Sequence, residues 1–384
     1  MKKFAKRTEV LKESIFTTMS NKARKANAIN LAQGFPDFDG PDWLVQAAKD
    51  ALSKDDGAYN QYASALGAPA LRKAVALQQD QDWGTAFDPE SEITITVGAT
   101  EAIYATLQAL VDSGDEVVVF EPMYDSYAAT IDMIGAIAKP VTLLEPTFEF
   151  DEKELRAAFS SKTKAIMINS PHNPTGKIFN AKELDLIGRL AVEFDAFIIT
   201  DEVYEHLTFE STHQEFAQWR SSPVLRDRTV AISSAGKTFG MTGWKIGWTL
   251  APEAITKTIR MVHQYIPFCA THPMQMAVAH GLEHRSGYIA GFKAEYKKKR
   301  DLLVGGLRDL GFDVLAPQGT YFLQIKVNEN AFDFCDQLIE KNGVAAIPTA
   351  PFYLKHKQGD HLVRLCFAKR DETIREALKR LQAR

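Results

Sequence analysis

Phe197-Ile198-Ile199-Thr200-Asp201-Glu202 is an apolar, β-branched run that stops abruptly on two carboxylates. A run apolar at nearly every position reads as a strand buried on both faces, because a strand with one wet face would alternate. The same punctuation recurs along the chain. Ile93 to Val97 stops at Gly98-Ala99-Thr100, Val117 to Phe120 at Glu121-Pro122, Ala165 to Ile168 at Asn169-Ser170-Pro171, and Val230 to Ile232 at Ser233-Ser234. Helical patterns lie between the runs. Thr100 to Leu110 repeats apolar residues at helical spacing, and Asn180-Ala181-Lys182-Glu183 has the form of a capping box opening a helix to Phe194. Strands alternating with helices predict an α/β fold with a mainly parallel sheet sandwiched by helices. In open sheets of this kind ligands bind beyond the carboxyl ends of the strands, and each polar cluster falls at such an end.

The texture changes near Met274. A long, charge-rich helical stretch leads to Gly311-Phe312, followed by strand-like Thr320 to Ile325 and Leu362 to Ala368 and a last helix, Glu372 to Leu381. This predicts a smaller α+β domain over 274–384 beside a large α/β domain over 46–273. Residues 1–45 are expected to join the small domain, since Pro36 and Gly40-Pro41 break structure before the first long helix. A chain of 384 residues exceeds what one core usually serves, which agrees with two domains.

Composition narrows the function. The net charge of −4 leaves no basic excess, so no nucleic-acid or anionic-membrane partner is expected. Cys269, Cys335 and Cys366 are odd in number and far apart, with no CxxC pair to suggest a disulfide scaffold or a thiolate zinc site. The basic start, Met1 to Arg7, is not followed by an apolar h-region, and no run reaches a membrane span's length; a cytoplasmic protein is expected.

Lys237 closes Ser234-Ala235-Gly236-Lys237 after a buried strand, with Thr242-Gly243-Trp244-Lys245-Ile246-Gly247 downstream. At the rim of an apolar site a lysine loses its proton more readily and can form an imine with an aldehyde. Ser234 and Lys245 offer a hydroxyl and a positive charge to a phosphate. Gly236-Lys237-Thr238 resembles the end of a P-loop, but the glycine required five positions earlier is Ala231, so the nucleotide reading fails. Ser234-x-x-Lys237 also matches the serine β-lactamase signature, whose companion motifs are absent. Asp201, at a strand end, would have its pKa raised by burial unless a cation pairs with it; a helix N-cap is the plainer reading. Tyr204 follows within reach. The loop Asn169-Ser170-Pro171-His172-Asn173-Pro174-Thr175-Gly176 can present side-chain amides from a rigid bend. Gly98-Ala99-Thr100 opens a helix straight after a strand, where free N–H groups favour a phosphate. Arg364 lies in Leu362-Val363-Arg364-Leu365-Cys366-Phe367, apolar on both alternating faces, so it needs a partner: a structural carboxylate or a substrate's. His280-Gly281-Leu282-Glu283-His284 fits a zinc-peptidase pattern, but Gly281 weakens the helix and so short a match arises by chance; no metal is expected.

Taken with Gln33-Gly34-Phe35-Pro36-Asp37-Phe38, Asn60-Gln61-Tyr62, Asn173-Pro174-Thr175-Gly176 and Thr200-Asp201-Glu202-Val203-Tyr204, these segments resemble, over nearly the whole chain, the class I, fold-type I aminotransferases. The likeness is nearest to the branch of bacterial methionine aminotransferases and kynurenine/glutamine transaminases. It implies a sheet of the seven-stranded type and a pyridoxal 5′-phosphate (PLP) cofactor. Lys237 would be the Schiff-base lysine and the base moving a proton between the substrate Cα and C4′ of the cofactor. Asp201 would pair with the pyridine nitrogen, Asn173 and Tyr204 would hold the ring hydroxyl, Asn169 would lie near the cofactor, and Tyr124 would stack on the ring. Ala99, Thr100, Ser234 and Lys245 would bind the phosphate, with Tyr62 reaching it from the neighbouring subunit of a homodimer. Many class I members carry arginine where Lys245 stands, but a lysine still binds phosphate as a point charge. Arg364 would bind the substrate carboxylate with help from the Gly34 backbone.

The implied activity is transamination (a 2.6.1-type transferase of nitrogenous groups) between an amino acid and a 2-oxo acid. Methionine is the expected donor, with kynurenine, glutamine or aromatic amino acids, or cysteine-conjugate β-elimination on the same site, as alternatives. Ile15, Phe16 and Tyr124 offer apolar surface, and no second arginine for an acidic side chain stands out.

Overall fold

A computed structural model describes residues 4–9, 11–54, 57–210, 222–354 and 356–382. Its centre is a seven-stranded sheet built from β2 (Ile93–Val97), β3 (Glu116–Glu121), β4 (Ile137–Thr142), β5 (Thr163–Asn169), β6 (Phe197–Asp201), β7 (Thr229–Ser234) and β8 (Ile246–Leu250). The spatial order is β2-β8-β7-β6-β5-β3-β4. The pairs among β4, β3, β5, β6 and β7 are parallel, and β8 runs antiparallel to both of its neighbours. All five apolar runs of the sequence are strands here. Each deeply buried Ile or Val in them contributes about 1.5–3 kcal/mol of transfer free energy, which outweighs the cost of ordering its side chain.

Two strands escape the sequence pattern. β4 contains Lys139-Pro140, which argues against a central strand; it is the sheet's edge, where a missing N–H costs no ladder bond. β8 contains Gly247, where a Cβ would stand 2.6 Å from the backbone carbon of Gly98. Glycine is what lets β8 lie against the corner between β2 and the helix Gly98–Leu110.

The register aligns the strand ends. Asn169 pairs across from Asp201 and Asp201 from Ile232, so the polar ends of β5, β6 and β7 form one row. Because β8 is antiparallel, its start lies at this same edge, with Ile246 opposite Val97 and Gly247 opposite Ser234. Lys245 therefore joins the row from the opposite chain direction. The capping box is present: Asn180 accepts from Glu183 N while Glu183 accepts from Asn180 N, at the start of the helix Ala181–Glu193.

A second sheet has the order β12 (Ile347–Pro348), β13 (Leu362–Cys366), β10 (Phe322–Lys326), β9 (Asp313–Leu315), all antiparallel. β1 (Ile29–Asn30) pairs in parallel with β11 (Val344–Ala345), which brings the N-terminal segment against this C-terminal region. Met19, Ala23 and Leu31 share one apolar core with Phe322, Leu338 and Val363. The helix His272–Glu283 is continuous through Gly281, so the expected weakening does not interrupt it. A Cβ at Gly281 would meet Leu44 Cδ1 at 2.9 Å, and close helix packing is the reason for glycine there. Among the described residues no helix is long and apolar enough to cross a membrane.

Candidate active site

A cavity of about 330 Å³ opens at the carboxyl edge of the large sheet. Lys237, Asp201, Tyr204, Ala99, Thr100, Tyr124, Asn169, Asn173, Ser234, Lys245, Gly34, Phe16 and Arg364 all line it. Of the residues named from the sequence Tyr62 stands apart, 83% exposed with its ring edge-on to Phe268 at 5.4 Å, and Ile15 does not line the cavity either.

Lys237 sits in the short helix Ala235–Thr238 that continues β7. It opens onto the cavity with protein around it, and burial lowers its pKa to about 8. Its amine donates to the Tyr321 hydroxyl at 2.9 Å, and that hydroxyl donates to the Gly34 carbonyl at 2.5 Å. One tyrosine thus ties the lysine to the N-terminal segment. Gly34 is held so close that a Cβ would meet Phe322 Cζ at 2.7 Å.

Asp201 ends β6 and is buried. Burial raises its pKa to about 6, opposed by hydrogen bonds from the Tyr127 hydroxyl at 2.5 Å and the Val203 N–H at 3.3 Å. It is not an N-cap of a long helix, the plainer reading of its sequence position; a turn follows it. Asn169 Nδ2 donates to the Asp201 carbonyl at 2.8 Å, and its Oδ1 accepts from Asn173 N at 2.7 Å, which fixes the following loop. The buried Tyr204 hydroxyl has its pKa raised by desolvation, so it stays a proton donor.

Arg364, on β13, is fully buried. Nη1 donates to Asn173 Oδ1 at 2.8 Å and Nη2 to the Ala32 carbonyl at 3.0 Å, while Nε has no protein partner. Aromatic faces surround the guanidinium, with the Phe322 centroid at 3.9 Å, Phe16 at 4.9 Å and Phe352 at 5.4 Å. Among the described residues no carboxylate pairs with it, so of the two partners open from the sequence the structural one is not there. Ser14 Oγ donates to Asp125 Oδ2 at 2.6 Å, pinning the start of the helix Ile15–Lys25, and so Phe16, beside Tyr124.

At the other end, Gly98 has φ +70 and opens the helix Gly98–Leu110, while a Cβ on it would stand 2.9 Å from Lys245 Nζ. The helix N-terminus, the Ser234 hydroxyl and the Lys245 amine converge on a space that side chains leave free, as an anion requires. Tyr127, Tyr321, Phe322 and Phe352 were not anticipated. Tyr127 carried one usable signal, its helical spacing three residues after Tyr124; the others approach through tertiary packing from the second sheet.

The charges left unmet here fit one kind of group. Among the described residues the buried acid Asp201 has no cation bonded to it and Arg364 has no acid, and the cradle beside Gly98 suits a phosphate. A phosphorylated pyridine aldehyde satisfies the cradle and the acid and can be captured by Lys237, and on this sheet order that makes the protein a PLP enzyme of fold type I. Comparison with known proteins refines the class. The family model for aminotransferases of class I and II matches residues 26–381, and the chain belongs to that family. It is 41% identical to the methionine aminotransferase of Escherichia coli over 96% of this chain and 95% of that one. It is 36% identical to human kynurenine–oxoglutarate transaminase 1, with 94% and 93% covered. Among solved structures, the N-succinyldiaminopimelate aminotransferase of Mycobacterium tuberculosis superposes with a TM-score of 0.94 at 41% identity, covering 99% of this chain and all of that one. The protein is an aminotransferase, and its cofactor is PLP.

Proposed function

We propose that the enzyme transaminates an apolar or aromatic L-amino acid, methionine foremost, with a 2-oxo acid as acceptor. The observation that carries this reading is the cation count of the cavity, whose lining among the described residues holds Lys237, Lys245 and Arg364 and no fourth Lys or Arg. Lys245 lies by the phosphate cradle and Lys237 at the reacting centre. Arg364 remains for the α-carboxylate, and nothing remains for a second carboxylate on the side chain. Phe16, Tyr124 and Phe322 line the cavity with aromatic surface instead.

When bound, PLP supplies an electron sink that acidifies the substrate Cα–H. Lys237 would hold the cofactor, and its amine would be the base that takes the proton from the substrate Cα; burial, which lowers its pKa to about 8, favours the neutral amine. Asp201 would pair with the ring nitrogen and favour its protonated form. Asn173 and Tyr204 would hold the ring hydroxyl, Asn169 positions Asn173, and Tyr124 would pack on the ring. Ala99, Thr100, Ser234 and Lys245 would hold the phosphate. Arg364, with Gly34, grips the substrate carboxylate, and its buried fork gives two parallel charge-assisted bonds to do so.

A homodimer belongs to the same reading. Tyr62, Tyr265, Ile266 and Phe268 form an exposed apolar patch that supports pairing with a second copy, in which Tyr62 reaches the neighbouring phosphate site. The chain would then divide into a large domain over 46–273 and a small one over 274–384 joined by 1–45.

The relatives' names support methionine and kynurenine as donors and also raise N-succinyldiaminopimelate, whose extra carboxylates the cation count disfavours. An amino-donor screen against several oxo acids decides between them. Methionine or an aromatic donor should be fastest. Faster turnover of aspartate or N-succinyldiaminopimelate would refute the substrate assignment, and pyruvate release from cystathionine without an acceptor would identify a β-lyase.

A further inference from the structure

His280, Glu283 and His284 lie at the end of the helix His272–Glu283, away from the cavity. Their i, i+3, i+4 spacing places them on one helical face. All three are exposed, and one imidazole nitrogen or carboxylate oxygen from each lies within 4.8 Å of the other two. The two imidazole rings are 4.2 Å apart, inclined at 38°.

A second observation concerns which nitrogen is available. His284 Nδ1 lies 2.9 Å from the His280 carbonyl oxygen. A carbonyl only accepts, so the proton resides on Nδ1 and the lone pair on Nε2. A ring N–H given to a backbone carbonyl is how metal-bound histidines are held in their ligating tautomer. The platform is also fixed. Trp43 stands edge-on to His280 at 6.0 Å, and Gly281 draws the helix against the buried side chains of Leu44 and Phe239.

We propose that His280, Glu283 and His284 form a surface site for a borderline divalent transition ion, with Zn²⁺ as its first candidate. Two imidazole nitrogens and one carboxylate oxygen suit such an ion, with water completing four-coordination, whereas Mg²⁺ and Ca²⁺ prefer oxygen shells. The site is not a peptidase centre, because Glu283 serves as a ligand and is not free as a base. The three ligands close the C-terminal turn of the helix His272–Glu283, which packs on the helices Asp42–Leu52 and Pro69–Trp83, so a bound ion fixes that helix end.

Calorimetric titration of Zn²⁺ into the tag-free holoenzyme tests the site, with Mg²⁺ as control. One saturable ion per chain is expected, abolished in His280→Ala/His284→Ala and weakened severalfold in Glu283→Gln, with transaminase activity unchanged in each. Zinc should also raise the melting temperature of the wild type and not of the double variant. Absence of saturable binding, the same binding in the double variant, or equal affinity for Mg²⁺ would overturn the proposal.

Discussion

The Tyr127 hydroxyl donates a 2.5 Å hydrogen bond to the Asp201 carboxylate, and both groups are buried at the floor of the cavity. Burial alone pushes the Asp201 pKa upward, and the Tyr127 bond is the strongest force drawing it back. Tyr127 is therefore a positioning residue that favours the ionised form of Asp201. A hydrogen bond to a charged group is worth about 1.5–3 kcal/mol, so Tyr127→Phe should lower kcat by about ten- to a hundredfold with a smaller effect on KM. The sign of the pH effect is fixed: losing a bond that favours the charged form raises the Asp201 pKa, and the acid limb of kcat/KM should move to higher pH. An unmoved limb with normal kcat would show that the bond is merely structural.

Arg364 is a buried cation with no carboxylate bonded to it among the described residues, and the proposed partner is the substrate's. Arg364→Lys keeps the charge and loses the planar fork. Truncating a buried, hydrogen-bonded charge pair costs about 2–5 kcal/mol, so kcat/KM should fall by about a hundredfold, mainly through KM, for every amino-acid donor tested. Cofactor absorbance and the melting curve should stay close to wild type. An unchanged KM would place the substrate carboxylate elsewhere.

Gly98 combines a left-handed backbone with a clash. Gly98→Ala adds a strain of about 1–2 kcal/mol and puts a methyl group 2.9 Å from Lys245 Nζ. Titration of PLP into the cofactor-free variant should give a Kd raised by about tenfold or more. Gly84→Ala is the control: Gly84 also has positive φ, but nothing lies within 4 Å of its Cβ position, so it should destabilise without weakening the cofactor. Equal effects on PLP binding from both variants would contradict the cradle assignment.

How far the sequence leads depends on whether a feature is local. The runs ending at Val97, Phe120, Ile168, Thr200 and Ile232 announced themselves because a strand buried on both faces carries no charged position until its end. Asp201 and Asn169 were readable for the same reason, since each closes such a run with a polar group, and Lys237 follows the run to Ile232 within five residues. β4 was hidden by Pro140, which only an edge tolerates, and β8 by Gly247, whose need for close approach is a property of the packed corner. Arg364 could be recognised as a buried cation, but not that its protein neighbours would be an amide, a carbonyl and three aromatic rings. Tyr321 reaches Lys237 and Phe352 reaches Arg364 from the second sheet and its flanking loop, and nothing within a few residues of either signals it. Tyr62 points away from its own cavity, and its assigned role depends on a second chain.

The account rests on Lys237 as the residue that holds the cofactor. Borohydride reduction of the holoenzyme converts the lysine–cofactor linkage to a stable secondary amine, and peptide mass mapping then locates it. The pyridoxyl group should be found on the peptide containing Lys237, and on no peptide of Lys237→Ala treated identically. A pyridoxyl group on another lysine in the wild type, or none on the reduced holoenzyme, would contradict it.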